Sequence, residues 1–258
     1  MNLLKQLFSR RWIGGTILVL VVMALFVRLG IWQLARLEER RGQNAVLQAA
    51  LDASPLDLAQ PLSDLPEALA NRQATVTGEY DFAEERVVLL QTWQGQTGVM
   101  LLTPLMIDGV ENTAVLVNRG WVPQNAYEAG ELSRYQTATG TVQVSGYLAL
   151  SQPNRAQTTE PAGAEVYRMN IDDIDAALPY DLLPVILVDA PPDDAPDLEP
   201  PFRVSREVDL SEGPHLSYAV QWFIFTVLTG GLYLYFVVRR SSEARPSPAQ
   251  SSHENETE

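Results

Sequence analysis

The chain has 258 residues, no cysteine, two histidines and a formal charge of −14, and its mean hydropathy is close to zero. The missing cysteines exclude a disulfide framework, thiolate metal sites and thiol redox chemistry, and two histidines cannot assemble an ordinary zinc site. So strongly acidic a chain repels nucleic acid and anionic surfaces.

The near-neutral hydropathy is an average over two apolar segments and a polar remainder. Trp12 to Val27 carries no charge over sixteen residues, and after Arg28 the apolar run resumes through Leu29, Gly30, Ile31 and Trp32. Counted to Gln33, this is enough to cross a bilayer core, which takes roughly 20 helical residues. A cleaved signal peptide is the alternative, given Lys5, Arg10 and Arg11 ahead of it. The apolar stretch is longer than such a peptide needs and no small-residue cleavage site follows promptly, so it is expected to remain as an anchor.

Residues 34–52 are good helix formers without proline and should carry the first helix onward past the membrane. Ser54 to Pro66, with three prolines, predicts a loop. Strand patterns follow at Gln73–Tyr80, Arg86–Trp93, Val99–Ile107 and Thr113–Asn118, the last two joined through the turn signal Asp108-Gly109. Thr141–Leu150 predicts another strand, Ile171–Leu178 a short helix, Pro184–Val188 a buried strand, and Phe202–Val208 alternates as a last strand. Between these, Ala190–Pro201 holds five prolines among acidic residues and predicts an irregular loop.

The second apolar segment, Leu216 to Val238, has twenty-three residues without a charge and ends at Arg239 and Arg240. The expected organisation is therefore a terminus at 1–11, a first transmembrane helix at 12–33, an outer domain at 34–214, a second transmembrane helix at 215–238 and a disordered tail at 239–258. The fold class is two transmembrane α-helices flanking a mainly antiparallel β (α+β) extracytoplasmic domain, for which a small barrel is one available closure.

Lys5, Arg10 and Arg11 before the first span, with Arg239, Arg240 and Arg245 after the second, place both termini in the cytoplasm. Arg36, Arg40 and Arg41, just beyond the first span, run against that pattern. The outer part, Leu34 to Pro214, holds 11 Lys+Arg against 28 Asp+Glu, a formal charge of −17.

No hydrolase elbow, phosphate loop or zinc-protease helix is present, and the outer part contains no histidine before His215, so an enzyme is not expected. Adjacent acids such as Asp172-Asp173 and Glu84-Glu85 have the character of solvated surface. Two clusters at the membrane border are more informative: Trp32, Gln33 and Arg36 at the end of the first span, and His215, Tyr218, Gln221 and Trp222 at the start of the second. His215, Tyr218 and Trp222 share a helical face. An interfacial aromatic belt accounts for Trp32, Tyr218 and Trp222 equally well. Unpaired amides are costly in hydrocarbon, so Gln33 and Gln221 are expected to face each other or a bound group.

In chain order, Gly30-x-Trp32-Gln33-x-x-Arg36, Val76-x-Gly78-x-Tyr80, Val117-Asn118-Arg119-Gly120-Trp121-Val122-Pro123, Val144-x-Gly146 and His215-Leu216-x-Tyr218-x-x-x-Trp222 resemble the surfeit-locus family of cytochrome c oxidase assembly factors. The resemblance runs from Leu29 to Arg240. It implies a role in maturing the catalytic subunit of haem-copper terminal oxidases, alongside the haem a synthesis machinery, with haem a as cofactor or cargo. It makes His215 the expected axial ligand, with Tyr218, Trp222, Trp32 and Gln33 around the macrocycle and Arg36 and Arg119 toward its propionates, since imidazole is a common haem ligand and guanidinium meets carboxylates bidentately. A carbonyl-bonded histidine at a helix start and a structural turn at Arg119-Gly120 stand as the alternatives. With eleven residues ahead of Trp12 and no Arg- and Ser-rich leader, a bacterial plasma membrane is the expected location. A cofactor-free membrane chaperone, or a two-span sensor or scaffold of the cell envelope, would fit the same architecture. The short cytoplasmic ends offer a sensor no signalling domain.

Overall fold

The computed structural model describes residues 6–62, 64–153, 163–190, 197–204 and 208–243. They divide into two units, one made of residues 1–45 with 211–258 and the other of residues 46–210. Most of the expected tail, 244–258 with His253, lies outside the described residues, as do 191–196 of the acidic loop and 205–207 of the expected last strand.

The first unit is a helical hairpin. Helix α1 (Ile13–Asp52) is continuous across the expected membrane border, as the unbroken run of helix formers required. Its forty residues span about 60 Å at the helical rise, twice a bilayer core. The other arm, α5 (His215–Glu243), is numbered last because it closes the chain. Both helices are long and apolar enough to cross a membrane, and almost none of their apolar surface is buried within the protein. Such surface needs lipid or another protein to cover it, which fits two candidate membrane spans.

The two helices run antiparallel and touch along their length at small or polar positions. Thr16 Oγ1 lies 2.7 Å from the Tyr233 hydroxyl. A Cβ on Gly230 would come within 3.0 Å of Met23, and one on Gly30 within 2.8 Å of the Phe223 ring. Phe26 meets Trp222 and Phe225 at centroid distances of 5.5 and 5.9 Å. Close approach at small residues is the usual source of helix association in lipid, where hydrophobic burial gives no driving force.

The second unit is built on one mixed sheet. Its strands are β1 (Leu56–Asp57), β2 (Gln73–Tyr80), β3 (Arg86–Trp93), β4 (Gln96–Ile107), β5 (Thr113–Pro123), β6 (Val142–Ala149), β7 (Glu165–Val166) and β8 (Asp181–Asp189), with short helices α2 (Pro66–Leu69), α3 (Gln124–Glu128) and α4 (Ile171–Asp175). The order is β1-β2-β6-β8-β5-β4-β3-β7, and a further β2–β4 pairing closes β2, β6, β8, β5 and β4 into a five-stranded barrel. Closure happens at Gly78, which pairs with both β6 and β4. A Cβ there would sit 2.0 Å from the Met106 carbonyl oxygen, so only glycine lets the two strands meet.

Pairing is antiparallel around the ring except between β5 and β8. Alternation in β5 sends Val115 and Val117 into the barrel with Val76, Leu105 and Leu187, while Leu116 faces outward against Ile186 and the α4 residues Ile171 and Ile174. Both faces of β5 are therefore covered, which explains its near-continuous apolar sequence.

Several expected elements come out longer, shorter or different. Strand β5 does not end at Asn118, because Asn118-Arg119-Gly120 makes a bulge in the ladder instead of a turn. Gly120 takes φ +125, and the Asn118 side chain accepts the Gly120 N–H. The loop expected at Ser54–Pro66 contains β1, which lies parallel to β2 and buries Leu58. The last expected strand reduces, among the described residues, to one antiparallel bridge between Phe202 and Trp121.

Candidate functional site

At one end of the helical hairpin the chain enters α5 through Gly213 and Pro214, whose carbonyl accepts the Ser217 hydroxyl at 2.7 Å. This places His215 in the first helical turn, half-buried, with its Nδ1 2.9 Å from Gln33 Oε1 on α1. An amide oxygen only accepts, so this contact requires a proton on Nδ1, and in the neutral imidazole that tautomer leaves Nε2 a lone pair. Gly213 lies beside that edge of the ring, where a Cβ would come 3.6–3.7 Å from Cδ2 and Nε2, and among the described residues Nε2 has no hydrogen-bond partner. An imidazole whose Nδ1–H is fixed by an acceptor, and whose Nε2 is bare, is in the state that binds a metal.

Gln33 therefore faces His215, and of the two expected arrangements, Gln33 against Gln221 or each against a bound group, the first does not occur. Gln221 is exposed, because the α5 face turned to α1 runs through Ala219, Phe223 and Gly230. Tyr218 and Trp32 are about half exposed, while Trp222 packs against Phe26 in a tilted contact. The shared face expected for His215, Tyr218 and Trp222 is thus split, with two of them toward α1 and Tyr218 outward.

The arginines that ran against the charge pattern all have local partners. Arg36 pairs with Glu39 at 2.5 Å and stays exposed. Arg41 meets Glu212 through Nε and Nη2 at 2.7 and 3.0 Å, a bidentate bond that holds the Glu212 carboxyl below its usual range. Arg40 and Asn44 both donate to the Ser211 carbonyl. Together they clasp the start of α5 onto α1 just beyond the apolar segments.

Arg119 belongs to the barrel unit and is only 8% exposed. Its Nη1 donates to Glu85 Oε2 at 2.9 Å, its Nη2 donates to the Tyr135 carbonyl, and its guanidinium lies over the Tyr80 and Phe82 rings at 5.3 and 4.8 Å. Glu85 also accepts from Thr103 at 2.6 Å and from Gln136 at 3.3 Å. These contacts give Arg119 a structural role in the barrel, and it also lines a cavity with Pro123, Glu131 and Arg134. Glu85 was read as surface from its neighbour Glu84, and that is corrected: it is 7% exposed. Its signal in the sequence was indirect, a lone arginine in the apolar run of β5 that required a buried acid.

One further carboxylate was not foreseen. Asp189, at the end of β8, has its pKa pushed up to about 6, chiefly by burial, with Asp197 adding to the rise and Arg203 and Arg119 opposing it. Arg203 is itself held by Asp197 through side chain and backbone. Among the described residues no group of three or more His, Asp or Glu comes together in a way that would hold a metal ion.

Residues 20–227 of this chain match the model of the SURF1 family. The chain belongs to the SURF1 family. An uncharacterised SURF1-like protein of Mycobacterium tuberculosis is 28% identical over 91% of this chain and 89% of its own length. A SURF1-like protein of Caenorhabditis elegans is 24% identical over 90% and 76%. Surfeit locus protein 1 of Arabidopsis thaliana is 32% identical over a shorter stretch, 43% of this chain and 34% of its own length. SURF1 is a family of assembly factors and not a recognised class of enzymes.

Proposed function

We propose that this SURF1-family chain is an assembly factor for a haem-copper terminal oxidase that holds haem a at the outer edge of the bilayer for the catalytic subunit. The observation that carries the reading is the 2.9 Å contact between His215 Nδ1 and Gln33 Oε1, which fixes the tautomer that leaves Nε2 free to ligate iron. Trp32 and Tyr218 offer exposed aromatic surface on either side of the hairpin, Trp222 and Gln33 form its inner lining, and Arg36 is the cation available for a propionate. Arg119 serves the barrel instead.

The location is then a bacterial plasma membrane, and the cations before the first span and after the second support both termini in the cytoplasm. The partners are then the catalytic oxidase subunit and the haem a synthesis machinery. A visible spectrum of the full-length protein, coexpressed with a haem a pathway and purified in mild detergent, tests the reading. Bound pigment that disappears in His215→Ala at unchanged protein yield supports it. A colourless wild-type protein defeats it.

A second reading, a cofactor-free membrane chaperone, is favoured by the same bond, because His215–Gln33 also works as an interhelical clasp. It predicts no pigment and unimpaired oxidase assembly in His215→Gln.

A further inference from the structure

Helix α1 turns one face to α5 and leaves the opposite face uncovered. Leu18, Val21, Leu25, Arg28 and Trp32 follow one another at alternating spacings of three and four residues, the period of a helix-packing seam. All five are exposed; the apolar ones range from 52 to 65%. The contacts to α5 use other positions, Thr16, Met23, Phe26, Gly30 and Gln33.

Arg28 is the anomaly in this seam. Arg36, Arg40 and Arg41 on the same helix have partners, whereas Arg28 has neither a hydrogen bond nor an ion pair among the described residues. It lies two turns before Arg36, about 12 Å along the axis, and about 22 Å from Ile13. Cα–Cβ bonds tilt toward the helix N-terminus, so its side chain leans toward the middle of the apolar stretch and away from the nearer border. A charge in that position is costly and is almost always turned toward a polar partner, for which an anion is the strongest match.

We infer that this face of α1 docks a membrane-spanning segment of another protein, and that Arg28 pairs with an aspartate or glutamate on that segment. The planar fork of guanidinium fits a carboxylate bidentately. A second copy of this chain does not supply the acid, because Trp12 to Gln33 and Leu216 to Val238 contain none. A lipid phosphate is the weaker match, since reaching it means extending the side chain against its tilt and past Trp32, one turn nearer the border. The apolar positions on either side of Arg28 give the partner helix a dry seam around the ion pair. This docking stands independently of haem binding at His215.

The test places a benzoylphenylalanine photocrosslinker at Val21 of the full-length chain in its host membrane, with Leu228 as the control position on α5. The expected result is an adduct from Val21 whose partner peptide spans the membrane and contains an acid. Arg28→Leu, which inserts at wild-type level, reduces the adduct at least about tenfold, and Arg28→Lys leaves it within about threefold, because removing one member of a desolvated charge pair strands the other. Arg28→Glu combined with the reciprocal acid-to-arginine change in the partner restores it. The inference is overturned by no adduct, by an adduct with lipid or a second copy only, by a partner segment without an acid, or by an adduct undiminished in Arg28→Leu. It also falls if Arg28→Leu removes bound pigment while the adduct persists, since the anion would then be a haem propionate.

Discussion

The barrel and the helical hairpin each hold a polar pair between segments distant in sequence, and they treat it oppositely. In the barrel, Glu85 and Arg119 are buried, and three further bonds tie the pair to Thr103, Tyr135 and Gln136. In the hairpin, His215 and Gln33 are half-buried, and one imidazole nitrogen is left without an acceptor or donor from Gln33. A buried network of several mutually supporting bonds rigidifies a fold. A half-satisfied pair at a rim costs little to keep and leaves a coordination position open.

Breaking the buried pair should produce the largest effect. Arg119→Ala leaves the Glu85 carboxylate buried without its cation, at a cost of about 3–5 kcal/mol. Thermal unfolding in detergent should show it, together with loss of the folded protein from membranes. Full stability with altered pigment would show instead that Arg119 serves a ligand, and the contrast between the units would fail.

Asp189 sharpens the same point, as a buried carboxylate with less compensation. Its folded pKa of about 6 lies above the unfolded value near 4, so the native state binds the extra proton between them. The group costs nothing below about pH 4, and stability declines as pH rises toward 6, by at most about 2–3 kcal/mol. Asp189→Asn should flatten that decline and raise the unfolding temperature at pH 7. An unchanged pH profile between 4 and 7 would mean that Asp189 titrates normally.

On the hairpin side, Gly30→Ala forces a methyl into the Phe223 ring and should loosen the helix pair by about 1 kcal/mol. The measurement is disulfide trapping between cysteines introduced at Thr16 and Tyr233, which should slow. The smallest expected change in stability is that of His215→Ala, about 0.6 kcal/mol for one interhelical hydrogen bond. Its functional effect should be total loss of pigment. A large loss of stability in this variant would make His215 a structural clasp.

The sequence was most legible where one face of a strand meets the core. The alternation in Gln73–Tyr80 and Arg86–Trp93 gave both strands with their observed ends. It was least legible where tertiary pairing overrides a local signal. Asn118-Arg119-Gly120 has the composition of a turn, and only the neighbouring β4 shows that the chain continues as a bulged strand. The parallel β5–β8 pair leaves no local mark, and Pro184, which lacks an N–H, sits opposite a register shift in that ladder. At the membrane border, motif residues could be named but their facing could not. Gln33 meets His215 and not Gln221 because the hairpin's register, invisible in either helix alone, brings residue 33 opposite 215.

The position of β8 also sets a schedule. It is the last of the described strands, yet it lies between β5 and β6 and bridges that gap in the ring. Until residues 181–189 leave the ribosome, β5 and β6 each present an open edge, and the hairpins already made can only wait. At 5–20 residues per second, the interval from the end of β5 to the end of β8 lasts about 3–13 seconds. The barrel is thus a fold that nascent chains reach late, and those unpaired edges must be kept from other strands during every round of synthesis.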